Sequence, residues 1–246
     1  MTGLRLVPLE CGWLQTDRSS ILAGGSGRVR MPLPSWLIVH PSGQTLLFDT
    51  GMHTSLQQDM SRYPTLATFE PDYRPGEDVS ARLAAAEVGA GDVDIIVFSH
   101  LHFDHCGGTN LVPNARIVVQ QAEWRAGHHE RLIAAGVYQP DDFDLGHDVQ
   151  QIAGEHDVFG DGSVLCVPTP GHTAGHQSLR VNLESGPVVL TGDCVYMREM
   201  LDKLLLPPFA FNEQQQLDSM RKLMALRDAD GCQLLYGHDA EQWAQL

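Results

Sequence analysis

The chain has 246 residues, 43% of them apolar, enough for one large α/β domain with a substantial core or for two small ones. Its formal net charge of −15 works against nucleic acid as a partner, and no apolar run is long enough to span a membrane. Met1–Asp17 lacks a basic start with a continuous apolar stretch, and the five scattered cysteines form no CxxC pair, which together point to a cytoplasm with reduced thiols.

In chain order, Leu4–Val7 reads as a first strand closed by Pro8, which cannot donate to a sheet ladder. Trp36–His40 and Thr45–Phe48 read as strands joined by the hairpin turn Pro41-Ser42-Gly43-Gln44. Val79–Val88 carries apolar groups at helical spacing, and Ile95–Phe98 is a short β-branched run, the pattern of a buried strand. Ile117–Gln120 is the next strand, followed by a helix from near Gln121. The second half repeats the theme with strands at Ser163–Val167, Ser178–Asn182 and Val188–Thr191, a helix at Glu213–Asp228 and a strand at Gln233–Tyr236.

Three segments exceed what a structural connection needs: Met52–Asp78, Glu123–Asp148 and Tyr196–Asn212. The first holds Tyr63, Leu66, Phe69 and Tyr73, and the third holds Leu204–Phe211, so both read as apolar walls rather than disordered linkers.

Directly after Ile95–Phe98, the run Ser99–Gly108 packs His100, His102, Asp104 and His105 into one strand-to-helix loop, with Gly107-Gly108 allowing a tight turn. One ion cannot easily use all four at unstrained geometry, so the spacing suggests two metals. Downstream, Thr169-Pro-Gly-His172, Leu190-Thr-Gly-Asp193 and Tyr236-Gly-His238 each put a ligand-capable residue in a glycine-containing turn after a strand. Neutral imidazoles and carboxylates suit a borderline divalent cation such as zinc. Two such ions lower the pKa of a shared water toward neutrality and polarise a substrate carbonyl, which is hydrolytic chemistry.

From about residue 30 onward this ordered set resembles the metallo-β-lactamase superfamily, with its HxHxDH run, later His, bridging Asp and final His. No short-period repeat, low-complexity tract or interdomain linker is visible, so the chain reads as one domain over 1–246. The resemblance implies an α/β fold, an αββα sandwich of two mixed sheets flanked by helices. It implies that His100, His102 and His172 hold a first ion, that Asp104, His105 and His238 hold a second, and that Asp193 bridges them. It also casts Asp49 as a structural aspartate bracing the metal loops.

Asp193-Cys-Val-Tyr196, with the His100–His105 run and Thr169–Ser178, is similar to the N-acyl-homoserine lactonase branch. That similarity implies a quorum-quenching hydrolase that opens a lactone ring by attack of a metal-bridging hydroxide. Tyr196 would hydrogen-bond the carbonyl oxygen, and Asp104 would carry a proton to the leaving oxygen. The expected substrate is a small lactone with an apolar acyl chain, and the expected assembly is a homodimer.

The alternatives are a 4-pyridoxolactonase-like enzyme, a glyoxalase-II-like thioesterase, a diiron oxygenase and a non-catalytic metal-binding module. Diiron relatives commonly carry Glu at the position of His102, and a closed structural zinc site would need no second ion. Of the remaining histidines, His176 reads as a structural hydrogen-bonding group, and His128, His129, His147 and His156 as solvated. His53 reads as lying at the site mouth or on the surface, and Cys106 and Cys194 as small packing residues.

Overall fold

Trp36, Ile38, Leu46, Phe48, Ile95, Val97 and Val118 alternate along their strands with Leu37, Leu47, Ile96, Ile117 and Val119, and both sets are buried. A strand apolar on both sides must be covered on both faces of its sheet. The computed structural model, which describes residues 3–246, shows how that is done; Met1 and Thr2 of the expected span lie outside the described residues.

The larger sheet contains β1 (Arg5–Asp17), β2 (Arg28–Val39), β3 (Thr45–Phe48), β4 (Glu70–Asp72), β5 (Ile95–Val97), β6 (Arg116–Gln120) and β7 (Val149–Ile152). Its order is β4-β1-β2-β3-β5-β6-β7, antiparallel as far as β3 and parallel beyond it. The smaller sheet has β8 (His156–Asp157), β9 (Val164–Pro168), β10 (Gln177–Leu183), β11 (Gly186–Leu190) and β12 (Gln233–Leu235), in the order β12-β11-β10-β9-β8.

Between the sheets, the first set of side chains meets Val164, Cys166, Leu179, Val181, Val188, Leu190 and Leu235. The second set packs outward with Val79 and Leu83 of α1 (Val79–Ala85) and with residues beside α3 (Gln121–Gly127). On the far side, Val189 and Leu234 pack against Met220 and Leu223 of α6 (Glu213–Asp230). Short helices α2 (Phe103–Cys106), α4 (Glu130–Ala134), α5 (Arg198–Lys203) and α7 (Ala240–Trp243) complete the chain. The result is the four-layer αββα sandwich. No helix among the described residues is long and apolar enough to cross a membrane.

Three details differ from the sequence-based reading. First, β1 does not stop at Pro8: the residue pairs with Trp36 and the strand continues to Asp17. β4 covers β1 only at Trp13–Gln15, so at Pro8 the strand is a sheet edge, where a missing N–H donor is tolerated. Second, β2 begins at Arg28 and passes through Pro32 and Pro34, where β1 is its only neighbour. Third, Met52–Asp78 contains two 3₁₀ turns (Thr54–Gln57 and Pro64–Leu66) and β4, and α1 ends at Ala85 rather than Val88.

α6 matters most to the site, because its first turns press on two of the ligand loops. Asn212 caps it by accepting a hydrogen bond from the Gln215 N–H (3.0 Å), and Gly231, with φ +68°, ends it. Asn212→Ala should therefore cost about 0.5–2 kcal/mol, read as a lower urea midpoint at unchanged slope. An unchanged midpoint would mean that packing alone holds α6.

Candidate metal centre

All seven ligand-capable residues singled out in the sequence come to one edge of the sandwich, in the connections that follow strands. His100 and His102 lie in the turn after β5, Asp104 and His105 sit on α2, and His172, Asp193 and His238 follow β9, β11 and β12. Part of the first cluster is therefore helical, not loop.

The donor atoms fall into two groups, His100, His102, His172 and Asp193 in one, and Asp104, His105 and His238 in the other. In the first, His100 Nε2, His102 Nδ1 and His172 Nε2 are 3.0–3.2 Å apart. Asp193 Oδ2 faces them, 3.4 Å from His172 Nε2 and 3.8 Å from His100 Nε2. Asp193 Oδ1 points the other way, 3.1 Å from His105 Nε2 and 3.0 Å from His238 Nε2. Asp104 Oδ2 closes the second group, 3.7 Å from His105 Nε2 and 3.9 Å from His238 Nε2.

These residues fit metal ions. His105 Nε2 and Asp193 Oδ1 are buried and 3.1 Å apart, yet neither finds a hydrogen-bond partner, as expected of two donors aimed at a common third point. Donors sharing a tetrahedral ion at about 2.0–2.1 Å stand roughly 3.3 Å apart, close to the spacing of both groups.

Electrostatics agree. Burial, reinforced by the neighbouring imidazoles, holds His100 well below its ordinary pKa; burial does the same for His172 and lowers His102 to about 4. Each shift favours the neutral imidazole that a metal ligand must offer. In the second group burial works the same way, but Asp193 with Asp104 and Asp49 outweighs it and lifts His105 well above its usual range. Asp193 likewise raises His238 against burial. Three carboxylates gathered here call for positive charge.

The ligands are held from behind. Asp49 accepts from Ser99 N–H and Ser99 Oγ (both 2.7 Å) and meets His105 Nδ1 at 2.8 Å, which turns His105 Nε2 into the site. Asp49 itself is left-handed, φ +63°, and its carbonyl accepts from Ser35 Oγ. The Pro32 carbonyl, on the stretch of β2 with a single neighbour, accepts from His238 Nδ1 (2.9 Å). Gly107 and Gly108 have ordinary negative φ, so a tight turn is not their purpose. A Cβ on either would collide with backbone of Thr50, His53 or Phe103, so they let α2 lie against that segment.

Two braces were not foreseen. Glu123, fully buried at the start of α3, accepts from Leu101 N–H (3.1 Å), Tyr138 Oη (3.0 Å) and Gly175 N–H (2.9 Å), tying the His100–His102 turn to the His172 loop. Gln216 on α6 donates to the Asp193 and Cys194 carbonyls (3.4 and 3.3 Å).

His176 is buried, bonded through Nδ1 to Thr169, and outside both donor groups. His53 caps the 3₁₀ turn Thr54–Gln57 and does not line the pocket. His128 and His129 are exposed, whereas His147 and His156 are half-buried, His147 bonding the Val112 carbonyl and His156 lying in β8. Cys106 and Cys194 are buried.

Above the ligands opens a cavity of about 470 Å³. His102, Asp104, His172, Asp193, Tyr196 and His238 form its floor, and Ile21, Met31, Leu66, Phe69, Val137 and Phe209 are among its apolar walls. Tyr196 Oη lies 3.4 Å from His172 Nδ1, and burial together with Asp193 and Asp104 keeps its phenol protonated.

The Metallo-beta-lactamase superfamily profile matches residues 30–238. The N-acyl homoserine lactonase AttM of Azorhizobium caulinodans is 33% identical over 99% of this chain and 96% of its own length. A solved N-acyl homoserine lactone hydrolase, with the product N-hexanoyl-L-homoserine bound at its catalytic metal centre, superposes with a TM-score of 0.88 at 27% identity, covering 100% of this chain and 97% of that one. A Bacillus thuringiensis AiiA variant with N-decanoyl-L-homoserine in its active site gives a TM-score of 0.88 at 26% identity, with 100% and 97% coverage.

Asp49→Asn removes the charge behind His105 while keeping the side chain's shape. Divalent-metal affinity should fall about 10–100-fold in competition against a chromogenic chelator. Wild-type affinity would reduce Asp49 to a folding role.

Proposed function

The chain belongs to the metallo-β-lactamase superfamily, and on that premise we propose that it hydrolyses N-acyl homoserine lactones, opening the ring with two divalent cations, zinc foremost. His100, His102 and His172 would hold one ion, Asp104, His105 and His238 the other, and Asp193 would offer one oxygen to each. The observation that carries this reading is Asp193, whose two oxygens face separate donor groups at the floor of an apolar cavity. Its support in sequence is the full-length similarity to a lactonase. Residues 1–246 then act as one domain, since loops from both sheets supply ligands.

Bound there, the cations would supply a nucleophile from water near neutral pH and polarise the ester carbonyl. The chain's own residues do the rest. With His172 Nε2 turned to the donor group, its Nδ1 carries the proton and faces the Tyr196 oxygen, which leaves the phenol O–H free to donate to the lactone carbonyl oxygen. That bond strengthens as the oxygen gains charge.

Water adds to the carbonyl carbon, the ring C–O bond breaks, and the alkoxide must gain a proton. Asp104 reaches into the cavity with its side chain 12% exposed, a position from which its carboxylate can carry that proton. Ile21, Leu66, Phe69 and Val137 would cover the acyl chain, each buried methylene contributing about 0.8 kcal/mol.

The test is acid release, followed with a pH indicator, from acylated homoserine lactones, linear esters, thioesters and β-lactams. Release confined to lactones is expected, and equal turnover of linear thioesters would sink the proposal. In the same assay Tyr196→Phe should lower turnover by roughly tenfold at unchanged metal content, below the 10²–10³ upper range for an oxyanion donor because the metals share its work. Unchanged kinetics would return Tyr196 to packing.

A further inference from the structure

Behind the cavity over the metal centre lies a second one of about 200 Å³, between the segments Arg62–Leu66 and Ile133–Gln139. The two cavities share Thr65, Leu66, Phe103, Gly136, Val137 and Tyr138 as lining. Gly136, with φ +73°, lies so close to Thr65 that a Cβ would collide with its hydroxyl, so here the two segments touch.

At the far end they are tied by a buried cluster. The Asp142 side chain is wholly buried, and its Oδ1 accepts from Arg62 Nη2 (2.6 Å) and Nε (3.0 Å). Its Oδ2 accepts from Tyr63 Oη (2.8 Å), and Arg62 Nη2 also donates to the Asp141 carbonyl (3.2 Å). A guanidinium that donates twice to one carboxylate oxygen while a phenol donates to the other ties the two segments together. The Tyr63 ring packs on Phe103 at 5.0 Å, which connects the cluster to the residue between His102 and Asp104. None of these three side chains reaches the donor groups.

We propose that Arg62, Tyr63 and Asp142 form a clasp that determines acyl-chain specificity, holding the walls of the second cavity at the separation that grips the distal carbons of a long chain. The inference rests on the lactonase reading and deepens it. On this proposal a short acyl group ends within the first cavity, and a longer one extends past Leu66, Phe103 and Val137, which line both cavities, into the second. With the clasp open, the walls part and the distal methylenes lose their contacts. The lactone ring keeps its own contacts, because Arg62, Tyr63 and Asp142 belong to neither donor group. The three residues are positioning residues.

The experiment measures kcat and KM of the metal-loaded enzyme on butanoyl-, hexanoyl-, octanoyl- and decanoyl-homoserine lactones, with calorimetric binding of N-hexanoyl- and N-decanoyl-L-homoserine. Wild type is compared with Asp142→Asn and with the milder Tyr63→Phe, which keeps the ion pair and guards against a variant that does not fold.

The decanoyl-to-butanoyl ratio of kcat/KM should fall about tenfold in Asp142→Asn, through KM, and less in Tyr63→Phe. At about fourfold per methylene, tenfold is the grip on fewer than two carbons. A parallel loss at every chain length, or a loss in kcat alone, overturns the clasp while leaving the lactonase reading intact. A wild-type protein that binds both products with a clasp-dependent preference but opens no lactone supports the clasp and overturns the lactonase reading. One that neither binds nor opens them overturns both.

Discussion

Asp193 is buried with both oxygens committed to opposite directions, and the site is built around that fact. A carboxylate withdrawn from water is costly unless charge or hydrogen bonds compensate it, and here Asp104 and Asp49 add two more within the same cluster. Burial would raise the Asp193 pKa, yet His105 and His238 hold it well below the ordinary range. The sandwich therefore concentrates negative charge at one edge and surrounds it with imidazoles. In His100, His102 and His172 burial favours the neutral form. Divalent cations are the charge that such an arrangement accepts.

Holding that arrangement takes more of the chain than the ligands themselves. Asp49, Ser99 and the Pro32 carbonyl aim individual histidines, while Glu123 and Gln216 tie whole loops together. Their anchors come from both sheets and from α3 and α6, so the site forms only when the layers are packed. The irregular features of the larger sheet serve the same end. The proline-bearing stretch of β2, with one neighbour, leaves a carbonyl free for His238.

The seven clustered donors were legible because four of them fall within six positions and the other three stand in glycine-containing turns after apolar strands. The layers were legible because strands buried on both faces read as continuous apolar runs. The braces were not. Glu123 and Asp142 follow ordinary helix-start patterns, and only the fold reveals that each is fully covered and multiply bonded. Pro8 misled for a related reason: whether a proline ends a strand depends on its neighbours in the sheet. Gly107 and Gly108 look like turn residues, but their role is a close approach between segments some fifty residues apart.

The proposal that Asp193 joins a pair of cations is tested most directly by anomalous diffraction from crystals of the metal-loaded protein, recorded on either side of the metal's absorption edge. Two peaks are expected in each chain, one beside His100, His102 and His172 and one beside Asp104, His105 and His238, each next to a different oxygen of Asp193. A fully active protein with a single peak, or with two peaks that both avoid Asp193, would contradict it.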